Sequence, residues 1–304
     1  MTKGERFLGC IIGGAIGDAF GSGYENLPKE DDTLFYPFGK PKTKIPQWQI
    51  TDDTQLTLAT CEAIIESEKL SPEILSNCLL RYYKQKRING IGASTLKAMK
   101  ELELGGHWSQ VGRRGEYAAG NGAAMRIAPI AFCKEIPKKD IRDLCIITHN
   151  NDEAYIGALC VILTIRAILN GTWTGKENLL PLIINQIPDT SVRDRLIEIN
   201  EIPEEVELQE IGKLGNNGYV VNSIPLALVA ANKFHKVGME QMFAALIDIG
   251  GDTDTNCSIA GQVIGTLTGI NGIPLHLFEQ LKQLREYDKI EKIINKLRTV
   301  RNWY

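Results

Sequence analysis

Near its C-terminal end the sequence reads DIGGDTDT, residues 248–255, and continues into the apolar stretch NCSIAGQVIGTLTG. One aspartate or threonine before a helix is an ordinary N-cap, because its side-chain oxygen accepts a backbone N–H and complements the helix dipole. Asp252, Asp254 and Thr255 together offer more oxygen atoms than one cap requires. The stretch therefore predicts a helix over residues 255–268 whose start has a second role.

A second acidic helix start lies in ITDDTQLTLATCEAI, residues 50–64. Thr51, Asp52 and Asp53 precede an apolar segment, and N-capping is the simplest interpretation of either start taken alone. If the two starts meet, their carboxylates repel one another unless cations neutralise them. Carboxylates, hydroxyls and waters are the ligands that Mg²⁺ and Mn²⁺ prefer. We therefore expect two divalent cations, Mg²⁺ or Mn²⁺, with Glu25 as a further candidate ligand; the candidate ligands include no His or Cys set, which disfavours zinc.

Helical periodicity dominates the rest of the sequence, and strand-like alternation is nearly absent. No linker or repeat interrupts the pattern, so we predict an all-α fold in one compact domain spanning residues 1–304. Wide apolar stripes predict long helices over 54–66, 153–169, 219–234 and 255–268. Shorter amphipathic helices are predicted over 72–87, 94–104, 138–147, 190–199, 238–248 and 289–301.

Glycines recur at helical spacing in the first helix, from Gly9 to Gly21, and again at Gly261, Gly265 and Gly269. Glycine inside a helix costs about 1 kcal/mol relative to alanine, so this spacing predicts that the two helices approach each other closely. Such a contact would bring their acidic ends together. Residues 26–50, with several prolines and aromatic residues, are expected to form a long functional or mobile loop.

Composition bounds the class of protein. The chain is 43% hydrophobic with a net charge of −3, which argues against a nucleic-acid partner held by a basic face. None of the seven cysteines forms a CxxC pair, a pattern typical of free thiols in a reducing compartment. The longest apolar run, ALCVILTI, is too short to span a bilayer, and no signal peptide is apparent. We expect a cytoplasmic protein without a membrane partner, and a monomer.

Seven segments resemble the ADP-ribosylglycohydrolase family, the group that includes dinitrogenase-reductase-activating glycohydrolase. They cover nearly the whole chain and occur in the order of the family. The segments are GAIGDAFGSGYE (14–25), TDDTQLTL (51–58), GIGAST (90–95), GNGAAMRIAPIA (120–131), THNNDEA (148–154), GYVVNSIPLAL (218–228) and GGDTDTNCSIAGQVIG (250–265).

The resemblance implies an orthogonal helical bundle with a binuclear Mg²⁺ or Mn²⁺ centre in a cleft at the helix ends. It implies a substrate that is an ADP-ribosylated protein or a small-molecule ADP-ribose adduct, cleaved at the anomeric carbon of the distal ribose. The acceptor is expected to be arginine, with serine, an acetyl ester or a modified nucleic-acid base as alternatives. Glu25 and Asp254 stand as candidates for proton transfer, and the metal ligands would be Thr51, Asp52, Asp53, Asp252, Asp254 and Thr255.

Substrate contacts are expected from three further segments. Tyr219 could stack on adenine, although a partly buried core tyrosine fits its context as well. His149 could hydrogen-bond a ribose or phosphate oxygen, with a cap or surface role as the alternative. A glycine-rich turn could present backbone N–H groups to a diphosphate, unless it is only a packing turn; its residues are Gly120, Asn121, Gly122, Ala123 and Met125.

Two residues depart from the family pattern. Ala123 stands where relatives often have serine or cysteine, and Asn222 stands where an acid is common.

Two other functions stay open. A non-catalytic module that binds ADP-ribose or a nucleotide is one alternative. The other is a two-metal phosphohydrolase of nucleotide diphosphates. The products separate these possibilities.

Overall fold

A computed structural model describes residues 1–25, 46–134 and 136–303. The all-α prediction is confirmed, since 69% of the described residues are helical. Helices in the described ranges are α1 (Lys3–Gly21), α2 (Asp52–Glu66), α3 (Pro72–Lys84), α4 (Ala93–Glu103), α5 (Trp108–Val111), α6 (Lys138–Ile146), α7 (Asp152–Leu169), α8 (Leu179–Ile184), α9 (Ser191–Asn200), α10 (Leu208–Gly212), α11 (Val220–Val237), α12 (Met239–Ile249), α13 (Thr253–Thr268), α14 (Leu275–Lys282) and α15 (Tyr287–Val300).

Every helix predicted from periodicity is present, with ends that differ from the prediction by a few residues at most. The short helices α5, α8, α10 and α14 were not predicted. Two strands of two residues each, β1 (Arg113–Arg114) and β2 (His149–Asn150), pair in parallel, with Arg113 opposite His149. This small pair of strands anchors the backbone on both sides of His149.

Helices α1 and α13 pack against each other in antiparallel directions along their glycines. A Cβ added at Gly13 would overlap the carbonyl oxygen of Gly261, and one added at Gly9 would overlap that of Gly265. Towards the other end, Gly17 faces Cys257 and Gly21 faces Thr253 in the same way. The predicted close approach is therefore present, and it brings the end of α1 to the start of α13.

Helix α13 lies at the centre of the protein, in contact with α1, α2, α7, α11 and α12. Nearly all of its residues are buried, which accounts for its apolar character on all sides. No helix in the described ranges is long and apolar enough to cross a membrane.

The predicted loop over residues 26–50 falls mostly outside the described residues, because 26–45 are not among them. Residues 46–50 are neither helix nor strand and lead into α2. The Trp48 ring packs edge-on against Phe20 of α1 with the ring centroids 5.7 Å apart, and Ile50 is buried. These contacts fix where the chain enters the start of α2.

Candidate active site

Three helix ends meet at one place in the structure. Thr51 is the N-cap of α2 and Asp252 is the N-cap of α13. The hydroxyl of Thr253 donates to the carbonyl oxygen of Gly21 at 2.8 Å, which joins the start of α13 to the end of α1. The hydroxyl of Thr255 donates to Asp53 Oδ2 at 3.1 Å and joins α13 to α2. The two acidic starts identified in the sequence are thus in contact.

Carboxylates from these ends form a cluster. Glu25, Asp252 and Asp254 each offer one oxygen, and the three oxygens lie within 4.8 Å of one another. Asp53 is buried, and its Oδ1 has no hydrogen-bond partner among the residues described. Asp52 Oδ2 accepts a hydrogen bond from the backbone N–H of Gly92, just before α4, at 3.3 Å. An unpartnered buried carboxylate oxygen requires an external partner.

Asp18, near the end of α1, organises the start of α2. It is completely buried and accepts hydrogen bonds from the backbone N–H and the hydroxyl of both Thr51 and Thr54, at 2.5–3.2 Å. These four donors favour the ionised carboxylate, while burial raises the pKa of Asp18 to about 6. Asp18 was not predicted as a site residue, although a lone acid in the apolar helix segment GAIGDAFG was a usable signal.

The electrostatics of the cluster are unfavourable without a cation. Burial raises the pKa of Asp52 to about 8, and the negative charges of Asp18 and Asp252 add to the shift. Burial, together with the charge of Asp252 and a hydrogen bond to it, raises the pKa of Asp254 to about 10. The pKa of Asp53 lies well above its usual range for the same reasons, with Asp254 as its nearest repelling charge.

Among the described residues, no lysine or arginine lines the cleft to compensate the negative charges. The cleft has a volume of about 230 Å³. Carboxylate and hydroxyl oxygens are the donors that suit hard divalent ions. The cluster could therefore bind a metal ion, and its unpartnered oxygen and mutual repulsion fit such an ion.

The glycine-rich turn forms another part of the cleft lining. The backbone N–H of Asn121 donates to Gly218 at 3.1 Å, and the side-chain amide of Asn121 donates to Asp252 Oδ2 at 2.7 Å. The carbonyl oxygen of Met125 accepts from the side chains of Thr57 and Gln262 at 3.2 and 2.8 Å. These bonds fix the turn beside the acidic cluster.

Most of the predicted site residues line this cleft, and three do not. Thr51 lies behind it against Asp18, Ala123 is completely buried, and Tyr219 is 41% exposed beside it, paired with Gly120 in an isolated antiparallel bridge. Asn222 bonds to Arg195 and Asn217 instead. The predicted residues that line the cleft are Glu25, Asp52, Asp53, Gly120, Asn121, Gly122, Met125, His149, Asp252, Asp254 and Thr255.

Several lining residues were not predicted as site residues. The segment around the start of α4 contributes Gly90, Gly92, Ala93, Ser94 and Thr95, and Gly218 lies beside Asp252. The segment GIGAST had been recognised as a motif, but no role followed from its residue types. Ser94 and Thr95 are buried hydroxyls, and their position in the cleft depends on how α4 packs.

A family comparison settles what kind of protein has this cleft. The family model described as ADP-ribosylglycohydrolase matches residues 1–304. The chain belongs to the ADP-ribosylglycohydrolase family. The resemblance seen in the seven sequence segments is thereby confirmed, and the names of family and relatives indicate an ADP-ribosylglycohydrolase enzyme.

Relatives within the ADP-ribosylglycohydrolase family match the chain over nearly its full length. The ADP-ribosylarginine hydrolase Tri1 of Pseudomonas putida is 28% identical over 94% of this chain and 76% of its own. The ADP-ribosylhydrolase ARH3 of Gallus gallus is 23% identical over 96% of this chain and 93% of its own. A solved structure described as an ADP-ribosylglycohydrolase-related protein complex has a TM-score of 0.70 at 26% identity, covering 98% of this chain and 99% of that one. The family is metal-dependent, which agrees with the oxygen-rich cluster.

Proposed function

We propose that this protein releases ADP-ribose from an ADP-ribosylated acceptor by hydrolysing the bond at the anomeric carbon of the distal ribose, with two divalent cations, Mg²⁺ or Mn²⁺. One observation carries the proposal: Glu25, Asp252 and Asp254 converge within 4.8 Å, beside the unpartnered Oδ1 of Asp53. The ligands in this proposal are Thr51, Asp52, Asp53, Asp252, Asp254 and Thr255.

Cleavage of a glycosidic bond passes through an oxocarbenium-like transition state and requires a proton for the leaving group. Bound divalent cations would supply the positive charge that holds vicinal hydroxyl oxygens and makes water nucleophilic near neutral pH. Glu25 is exposed at the mouth of the cleft and Asp254 is buried within it. Both carboxyl groups are within reach of the same ligand, and we propose one of them as the proton donor.

The glycine-rich turn and its neighbours His149 and Tyr219 are proposed to hold the rest of the substrate. Gly120, Asn121, Gly122, Ala123 and Met125 would contact the diphosphate through the backbone of their turn, and His149 would contact a phosphate or ribose oxygen. Tyr219 is exposed beside Gly120, a position from which its ring could stack on adenine.

Arginine is the acceptor that we favour, because one relative is named an ADP-ribosylarginine hydrolase. Serine and acetyl-ester acceptors are the alternatives. We further propose that residues 1–304 form one domain, that the protein acts as a monomer, and that it works in the cytoplasm, a location supported by its seven free cysteines.

The test is an assay of peptides carrying ADP-ribosyl-arginine or ADP-ribosyl-serine, and of O-acetyl-ADP-ribose, with Mg²⁺, Mn²⁺ or EDTA. Release of intact ADP-ribose from the arginine peptide, abolished by EDTA, is the expected result. AMP and ribose phosphate as products would instead identify a diphosphate hydrolase. Binding of ADP-ribose without turnover of any of the three substrates would identify a binding module.

A further inference from the structure

Arg126 is a buried cation that the proposed chemistry leaves unexplained. It has no exposed surface, and its Nη2 donates to the carbonyl oxygen of Leu144 at 3.0 Å and to Thr148 Oγ1 at 3.2 Å. Its Nε and Nη1 have no partner among the described residues, and burial lowers the pKa of Arg126 to about 10. Burying a guanidinium without a carboxylate is unfavourable, and an apolar side chain would fill the same space.

Thr148 connects this cation to the cleft. It is completely buried, and its Oγ1 lies 2.9 Å from Nδ1 of His149. A guanidinium has donors only, so the Thr148 hydroxyl oxygen accepts from Arg126. The hydroxyl has one hydrogen, and the described residues offer that hydrogen no acceptor other than His149 Nδ1.

The hydrogen-bond inventory therefore distinguishes the two neutral tautomers of His149. With the hydrogen on Nε2, Nδ1 accepts from Thr148, and the Thr148 hydroxyl both accepts a hydrogen bond and donates one. With the hydrogen on Nδ1, the Thr148 hydroxyl receives two donors and its own hydrogen is buried without an acceptor, which is unfavourable. The buried chain from Arg126 through Thr148 favours the Nε2–H tautomer.

The other side of the ring faces the cleft. His149 is 4% exposed, and a Cβ added at Gly122 would lie 2.7 Å from its Cε1 and 3.2 Å from its Nε2. Among the described residues none accepts a hydrogen bond from Nε2. Burial and the charges of Arg126 and Arg113 lower the pKa of His149 to about 3, so the ring is neutral at physiological pH.

We propose that Arg126 and Thr148 are positioning residues that hold His149 as its Nε2–H tautomer, so that the cleft presents a neutral hydrogen-bond donor to an acceptor oxygen of ADP-ribose. The identity of the ligand rests on the proposed function, whereas the tautomer does not. A neutral hydrogen-bond donor at His149 favours ligands that present an acceptor there, such as a phosphate or ribose oxygen. It leaves the charge of the acidic cluster unchanged.

Nitrogen-15 NMR of the histidine rings tests the tautomer directly in the full chain without a ligand. The protein has four histidines, and loss of one signal set in His149→Gln assigns His149. We expect Nε2–H in the wild type, a shift towards a tautomer mixture in Thr148→Val, and the wild-type pattern in Thr148→Ser, which keeps the hydroxyl. A purely structural hydroxyl would change the melting temperature of Thr148→Val and leave the tautomer as it was.

Arg126→Met removes the donor to Thr148, and a smaller shift in the same direction is expected in the folded variant. If circular dichroism shows that Arg126→Met is unfolded, the comparison of Thr148→Val with Thr148→Ser alone tests the tautomer. A wild-type ring protonated on Nδ1, or a Thr148→Val ring still fully protonated on Nε2, overturns the proposal.

Calorimetric titration of ADP-ribose in Mg²⁺ separates this inference from the proposed function. Thr148→Val should bind about fivefold more weakly than wild type, the loss expected for one hydrogen bond, and Thr148→Ser within about twofold of it. Equal affinity of Thr148→Val and wild type contradicts the donor role. A wild type that does not bind ADP-ribose refutes the proposed function, while the NMR result still decides the tautomer.

Discussion

The carboxylate of Asp18 accepts the hydroxyl hydrogen of Thr51 across 2.7 Å. This bond orients the N-cap of α2 from the neighbouring helix α1, because Asp18 also accepts the backbone N–H of the same residue. The Thr51 hydroxyl oxygen also accepts the backbone N–H of Asp53 at 3.4 Å, which leaves one lone pair for a cation. Carboxylates that orient a ligand in this way govern metal affinity in many sites.

Asp18→Asn should weaken metal binding. The amide nitrogen of asparagine is a donor, so it would oppose the donors of Thr51 and Thr54 and release at least one of them. We expect about 10- to 100-fold lower affinity for Mn²⁺, measured by calorimetric titration. Asp248→Asn, the same change at an exposed position of α12, is the matched control. Equal affinity of Asp18→Asn and the control would show that Asp18 has no influence on the metal.

Asp254→Asn and Glu25→Gln should have different effects. Asp254 is buried at the start of α13, so losing its charge should lower Mn²⁺ affinity by more than about 100-fold and abolish release of ADP-ribose. Glu25 is exposed, and glutamine keeps an oxygen ligand, so metal binding should survive while turnover falls by about 100-fold or more. Paired titrations and turnover assays measure both effects. An Asp254→Asn protein as active as wild type would refute the metal assignment.

The metal-free protein should lose stability as the pH rises. Burial holds the pKa of Asp52 at about 8 and that of Asp254 at about 10, against about 3.9 in an unfolded chain. The folded state therefore keeps protons that the unfolded state releases, and this contribution is lost from about pH 4 upward through the raised values. In EDTA, these groups should make the melting temperature lower at about pH 8 than at about pH 5.5.

Magnesium should reverse that trend, because the cation binds the deprotonated carboxylates and competes with protons. The difference in melting temperature between saturating Mg²⁺ and EDTA should be larger at about pH 8 than at about pH 5.5. Potassium chloride at matched ionic strength is the control for screening. A difference that shrinks with rising pH would contradict the charge assignment.

Gly13→Ala should destabilise the protein, although intrinsic helix propensity alone predicts a gain of about 1 kcal/mol. The added Cβ would overlap the carbonyl oxygen of Gly261, and overpacking of this kind costs about 1–3 kcal/mol. Urea unfolding gives the free energy of unfolding of both proteins. The sign of the change is the criterion: a more stable variant would mean that α1 and α13 have room between them.

Most of the fold could be predicted because the long helices show their periodicity and caps in the sequence. Helix α2, for example, begins after an N-capping Thr51, and α11 begins directly after Tyr219. The short helices α5 and α10 have four and five residues, too few for a periodic signal. Helices of that length form because tertiary packing holds them.

The acidic cluster could be predicted because repeated carboxylates at helix starts are chemically unusual. For residues that act through distant partners, the sequence does not show what the partner is. Asp18 bonds to a threonine 33 positions away, and Arg126 bonds to Thr148, 22 positions away. The residue types of these partners are ordinary, and only the packing of α1, α2 and α6 brings them together.

The glycine contact between α1 and α13 and the glycine-rich turn over residues 120–125 should tolerate substitution differently. Between α1 and α13, main chain lies against main chain at Gly9, Gly13, Gly17 and Gly21, so a side chain added at any of these positions has no room. The glycine-rich turn is held by the backbone bond from Asn121 to Gly218 and by side-chain bonds such as those from Asn121 and Gln262. Natural or engineered substitutions that adapt the protein to a new acceptor should therefore accumulate in the glycine-rich turn, while the acidic cluster stays unchanged.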